Sequence, residues 1–207
     1  MTLNEFTTEI AQRFGKELDM QYRQGLVPQI NQWRSRLIRN SLEKHPNEKS
    51  QFLQKIYIPL SYGDYSCGSF QCQGSYSQPL PKLLRIGDTP FEYLGAGDAS
   101  SPYRHTDIGT EPWIKEGMTA HLFINYRLDN NVLIIPGERI GSVTGAGIFD
   151  EPEKVMEWQC KNTQTGCDWW NAEYPITGDI AQMVKTSLWQ ELGQPKETLP
   201  THQDQDE

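Results

Sequence analysis

Long apolar runs are missing from this 207-residue chain; the longest, "VLII" at 132–135, is far too short to cross a bilayer. The first ten residues, "MTLNEFTTEI", have neither a basic n-region nor an apolar h-region, so no secretory signal is visible. Together these point to folding in a cytoplasm, where four cysteines do not build a disulfide framework and free thiols are expected. Apolar residues are also scarce, at 36%, and the mean hydropathy is −0.66. Both values are polar for a compact monomer and suit a chain that is extended or dependent on partners. Aromatic residues are not scarce: six tryptophans and nine tyrosines argue against wholesale disorder.

Several catalytic and ligand-binding signatures are absent too. There is no Ser-His-Asp set, and no carboxylate pair can be picked out as catalytic. "GAGD" (95–98) and "GAGIF" (145–149) do not continue into a Lys-Ser/Thr pair or a helix N-terminus, so they read as turns or bulges and not as phosphate loops. Cys67 with Cys72, and Cys160 with Cys167, have four and six intervening residues. Zinc ribbons usually have about two. Zinc is therefore not expected. His105, Asp107 and His121 form an H-x-D…H pattern like the iron site of non-haem oxygenases. That pattern is common by chance, and "SSPYRHTDIGTEP" reads as a surface loop. Catalytic residues, metal and cofactor are all expected to be none.

What the chain does have is an uneven charge. The formal total is −8. Residues 1–60 carry a net +3, residues 61–150 a net −4 and residues 151–207 a net −7. The basic excess peaks in "NQWRSRLIRNSLEK" (31–44), which has three arginines and a lysine against one glutamate. A chain with opposite ends can join copies head to tail or dock its basic end on an acidic partner.

Local patterns give an α+β organisation. Thr2 and Glu5 have capping-box spacing, Leu3, Phe6, Ile10 and Phe14 follow at helical intervals, and Gly15 supplies a stop. A second helix is predicted with Pro28 in its first turn, ending near "HPN" (45–47). On it, Leu26, Ile30, Trp33 and Leu37 form one apolar stripe, and Val27, Ile38 and Leu42 a second. Gln29, Gln32, Arg36, Arg39 and Glu43 fall opposite, with Arg34 at a border between the stripes. "FLQKIYIPL", "LLRIGDTPFEYLGAGD" and "HLFINYRLDNNVLIIPG" read as an antiparallel β body, with a hairpin turning at 129–131. "RIGSVTGAGIF" is a further strand with a glycine bend. A Trp-rich loop region follows, then a last helix, "GDIAQMVKTSLWQELG", ended by Gly193. Three segments result: an N-terminal helical segment 1–50, a β-rich body with the C-terminal helix 51–193, and a flexible acidic tail 194–207.

"WRSRLIRNSLEK" (33–44), "IYIPL" (56–60), "CGSFQC" (67–72) and "PLPKLLRIGDTPFEYLGAGD" (79–98) occur in that order. The succession resembles virion structural proteins of tailed phages, in particular the neck ring or head-to-tail connector proteins of crAss-like phages. It covers about half the chain, mainly residues 30–100. The resemblance implies a non-enzymatic subunit of a closed homo-oligomeric ring of about twelve copies beneath the portal. It also implies the portal protein and other neck or tail rings as partners, passing genomic DNA bound without sequence specificity, no membrane, and a place in the virion after assembly in the host cytoplasm. Partner contacts would fall on Arg34, Arg36 and Arg39, and on Trp169 and Trp170. For the arginines the competing expectation is an ordinary solvated helix face, with Glu43 offsetting Arg39 one turn on. The competing function is a soluble β-rich module whose tryptophans stack on carbohydrate or single-stranded nucleic acid.

Overall fold

Thr2 and Glu5 close the first helix as their spacing predicts. In the computed structural model, Glu5 N donates to Thr2 Oγ1 at 3.1 Å and Thr2 N donates to Glu5 Oε2 at 2.8 Å. Both ends of the capping box are thus made. The structure describes residues 1–67, 70–96, 102–106, 124–163 and 168–193. Helix α1 spans Leu3–Gln12 and buries Leu3, Phe6 and Ile10. Phe14 lies past its end, and Gly15 turns the chain at φ +63°.

Helix α2 spans Met20–Lys44 and starts one residue after its N-cap Asp19, whose Oδ1 accepts from Tyr22 N at 2.9 Å. The expected start near Pro28 is therefore corrected: Pro28 sits inside the helix. Its missing N–H leaves the Gln24 carbonyl without its usual helical donor. Tertiary packing offsets that loss, because Leu26, Val27 and Ile30 on either side of Pro28 are buried. The end is as predicted, since His45-Pro46 cannot extend the helix and a 3₁₀ turn, Pro46–Phe52, takes over.

Eight strands follow among the described residues: β1 Gln54–Pro59, β2 Ser61–Cys67, β3 Phe70–Tyr76, β4 Tyr93–Gly95, β5 Arg104–His105, β6 Asn125–Asp129, β7 Val132–Pro136 and β8 Ser142–Gly147. They form a three-stranded sheet, β1-β8-β4, and a five-stranded sheet, β2-β3-β7-β6-β5. The described pairings are antiparallel except β5 with β6. The β6–β7 turn falls where expected. Asn130 and Asn131 take φ +47° and +63°, the two positive values that a tight primed turn needs and that asparagine tolerates. Helix α3, Pro152–Thr163, and helix α4, Gly178–Gly193, complete the described elements, so the α+β class holds.

Two cores share the interior. One packs α1, α2 and α4 with Phe52, Leu84, Ile148, Trp170 and Tyr174. The other is the β core, with Ile56, Ile58, Leu133, Ile135, Val143 and Phe149 among its members. The seam is a short antiparallel bridge, Leu83 with Phe149, next to a 2.7 Å bond from Leu84 N to Ile148 O. Successive extended residues point to opposite sides. Leu83 and Phe149 therefore enter the β core, while Leu84 and Ile148 enter the helical one.

Two local expectations change, and one hairpin was not anticipated. "GAGIF" is not a turn: Gly145 and Gly147 lie within β8. A Cβ on Gly147 would meet Leu83 Cδ2 at 2.7 Å, and one on Gly145 would meet Phe91 and Leu94 at 3.1 Å, so these glycines make room for side chains packed across the strand. The Trp-rich "loop" region begins with helix α3. The carbonyls of Tyr57 and Lys55 accept from Trp158 Nε1 (3.0 Å) and Gln159 Nε2 (2.5 Å), so α3 covers one side of β1. The polar segment "SYGDYSCGSFQCQGSY" forms the β2–β3 hairpin. The tail 194–207 lies outside the described residues.

The cysteine expectation is overturned. Cys72 and Cys160 are both disulfide-bonded, and no described cysteine is free. A missing signal peptide bears on the compartment, whereas cross-linking also depends on which sulfurs the fold brings together. Thiol titration of denatured, unreduced protein is expected to find no more than two of the four cysteines. Four would show that Cys72 and Cys160 are not cross-linked.

Candidate functional site

Helix α2 carries two polar faces, and they do different work. The inner one comprises Asn31, Arg34 and Ser35, all buried. Arg34 has 0% exposure. Its Nε donates to Pro175 O at 2.8 Å and its Nη1 to Phe149 O at 2.9 Å. The guanidinium carbon sits 5.5 Å from the Tyr174 ring centroid, a cation–π distance. Burial lowers the Arg34 pKa from its ordinary value, with Tyr174, Glu153 and Asp150 acting against that shift. Asn31 links two more elements: its Nδ2 donates to Glu153 Oε1 at 2.8 Å and its Oδ1 accepts from Tyr174 OH at 2.6 Å. Burial pushes the Tyr174 hydroxyl up, and does the same to the Glu153 carboxyl despite the Asn31 bond. One α2 face thus ties together the end of β8, helix α3 and the Tyr174–Pro175 segment.

The outer face stays in solvent. Arg36 and Arg39 are exposed beside Gln32 and Asn40, and with Lys82, Asp150 and Glu151 they line a groove of about 590 Å³. Asp150 anchors the rim: Lys82 Nζ lies 2.8 Å from its Oδ2, and Arg39 Nη2 lies 3.9 Å from its Oδ1. Arg39 is 53% exposed, so that longer pair is solvent-screened and weak. The Arg36 guanidinium stacks 5.3 Å from the Trp33 ring, and Trp33 Nε1 donates to Glu191 Oε2 at 3.0 Å. Arg36 and Gln32 also line a second hollow of about 340 Å³ against Ser187 and Gln190 of α4. Arg36 therefore stands on the ridge between the two hollows.

The sequence-predicted contact residues separate accordingly. Arg36 and Arg39 lie on one open surface. Arg34 does not, because it is fully buried with its Nε and Nη1 on interior carbonyls, and it is withdrawn as a partner contact. Trp170 is buried in the helical core at 9% exposure, and Trp169 is half-buried with its ring edge-on to Trp170 at 5.3 Å. That packing withdraws Trp170 as a partner contact and speaks against the competing stacking surface: its ring stabilises the interior. His105 lies in β5, its ring 5.4 Å from that of Tyr126, while Asp107 and His121 lie outside the described residues. Among the described residues no group of three His, Cys, Asp or Glu side chains is placed to hold a metal ion. No described helix is long and apolar enough to cross a membrane.

Asn31, Glu153 and Tyr174 were not singled out from sequence. The available signal was Asn31 itself, a polar residue flanked by the apolar stripes of α2 and three positions before Arg34. Comparison with protein-family models and with curated proteins finds no match for this chain.

Replacing Arg34 with Ala is expected to destabilise the fold by on the order of 3 kcal/mol, through a cavity and two abandoned carbonyls. Arg36→Ala should stay within about 0.5 kcal/mol. Urea melts of the two variants check the contrast. Glu153 gives a pH signature. Its folded pKa is raised above 4.5, so the native state holds the proton more tightly than the unfolded chain. Its contribution to stability is full below that value and falls as pH rises through the folded pKa. Glu153→Gln cannot ionise and is expected to gain melting temperature relative to the parent as pH increases across that window. A constant difference would refute the assignment.

Proposed function

We infer that the chain is a non-enzymatic virion structural subunit. It forms a ring in the neck of a tailed phage, between portal and tail, where it extends the DNA channel and gives later components a platform. The observation that carries this reading is the outer face of α2: Arg36 and Arg39 are left exposed around an open groove on a chain whose formal charge is −8. An acidic protein surface, on the portal or on a neighbouring copy, complements that face, and the net −7 of residues 151–207 offers one such source. Negative net charge also suits a channel that must let DNA pass without gripping it.

The β2–β3 hairpin supports assembly independently. All seven residues of β2 pair with β3, but only Gly74–Tyr76 of β3 pair with β7. The hairpin therefore runs on past its sheet, and no strand pairs with the far side of β2 among the described residues. A closed ring needs two different surfaces on each subunit, and a basic face and a strand edge with which no described strand pairs are different. The Trp-surface binding module loses its support, because Trp170 is in the core.

The test combines Arg36→Glu with Arg39→Gln; the second change is neutral so that no carboxylate is set beside Asp150. Incorporation into virions, and self-association measured by sedimentation, are expected to fall sharply while the melt shifts by only about 0.5 kcal/mol. Raising salt should weaken the parent's contacts in the same direction, since charges are screened beyond about 8 Å at physiological ionic strength. Normal incorporation of a normally folded variant would return this face to plain solvation.

A further inference from the structure

Beside the Arg34 junction lies a crevice of about 10 Å³, whose lining includes Leu3, Gln54, Glu153, Met156 and Tyr174. It touches α1, β1, α3 and the segment before α4, so it sits where the helical and β parts of the chain meet. Two oxygen atoms of its lining residues, Glu153 Oε2 and Gln54 Oε1, are buried and have no hydrogen-bond partner among the described residues. Both are acceptors. The rest of each side chain is already committed: Glu153 Oε1 accepts from Asn31 Nδ2 at 2.8 Å, and Gln54 Nε2 donates to Pro152 O at 3.4 Å.

Two residues that line one small space each keep a buried acceptor without a partner, and a single donor molecule placed there could serve both. An unmet buried polar atom costs about 1–3 kcal/mol, and a group with an ionisable oxygen costs more. The space admits one molecule of water size, for which about 10–15 Å³ suffices. Water carries two donor hydrogens, which matches the two vacant acceptors. A larger polar ligand does not fit, and an apolar one leaves both oxygens unmet.

We propose that this crevice is a binding site for a single ordered water, which donates one hydrogen bond to Glu153 Oε2 and the other to Gln54 Oε1 and joins β1 to α3. With the water in place, donors converge on the Glu153 carboxyl from two sides. Tyr174 OH donates to Asn31, Asn31 Nδ2 donates to Glu153 Oε1, and the water supplies the second oxygen of the same carboxyl. With both oxygens engaged, the carboxylate form of Glu153 is better held than burial alone would permit. The water is thus a structural component of the junction that positions α3.

A crystal structure that resolves ordered solvent, with water-to-amide cross-relaxation NMR on the Gln54 side chain, tests this directly on the intact chain. The expected result is one full-occupancy water within hydrogen-bonding distance of both oxygens, with a persistent water cross-peak to the Gln54 amide. An empty crevice overturns the proposal. So does a rotated Gln54 amide with Nε2 placed on Glu153 Oε2, or a protonated Glu153 donating straight to Gln54 Oε1. Gln54→Leu gives a second readout, because it removes one of the water's two acceptors. The Glu153 carboxyl, followed by carbon-detected NMR titration, should then titrate at higher pH than in the parent. An unchanged midpoint in a folded variant overturns the bridging role. Neither result bears on the ring, whose test reads the opposite face of α2.

Discussion

Arg34 places a cation where no solvent reaches, and two distant parts of the chain, Phe149 and the Tyr174–Pro175 segment, are arranged around it. Phe149 and Pro175 each give it a carbonyl oxygen, and Tyr174 gives it a ring face. A buried charge left unmatched would cost several kcal/mol, so these contacts are a condition of the fold. They also solve a problem for the partners. The bonds beside the Leu83–Phe149 bridge use the Ile148 and Lys82 carbonyls, which leaves the Phe149 carbonyl, like that of Pro175, for Arg34 to meet. One side chain thereby fixes the rotation of α2, the path of the chain leaving β8, and the approach to α4.

That arrangement explains how two modest cores cooperate in a polar chain. The seam between them is only a few residues long, with Leu84 and Ile148 on one side and Leu83 and Phe149 on the other. Phe149 belongs to both devices: its ring fills the β core while its carbonyl holds Arg34. Gly145 and Gly147 let Phe91 and Leu83 press close to β8 just before this point. Slippage of β8 by one residue would turn Ile148 and Phe149 to the wrong cores and take the carbonyl away from the guanidinium. Packing and hydrogen bonding therefore select the same register.

The same helix serves inside and outside because its arginines diverge in direction. Arg34 is consumed by the interior, while Arg36 and Arg39, two and five positions on, project around the open groove. The basic excess near the N-terminus is thus part structural and part surface. Only the surface part bears on assembly. The proposed ring rests on that remainder together with the β2 edge, with which no described strand pairs.

Features set by neighbours in sequence were readable in advance. The Thr2–Glu5 capping box, the turn at Asn130–Asn131 and the helix Gly178–Gly193 each depend on residues a few positions apart. The polar hairpin β2–β3 and helix α3 were not readable, because neither has a clear apolar period: the side-chain N–H groups of Trp158 and Gln159, bonded to β1, help hold α3 in place. Pro28 misled for a related reason, since its local penalty is outweighed by burial on both sides. The site shows the limit most clearly. Sequence placed Arg34, Arg36 and Arg39 on one helix and put Arg34 at a border, but it gave all three the same role. Which of them turns inward was decided by carbonyls 115 and 141 residues away along the chain. Spacing along a helix fixes the angles between side chains, but the direction of the whole set is fixed only when distant acceptors close around one of them.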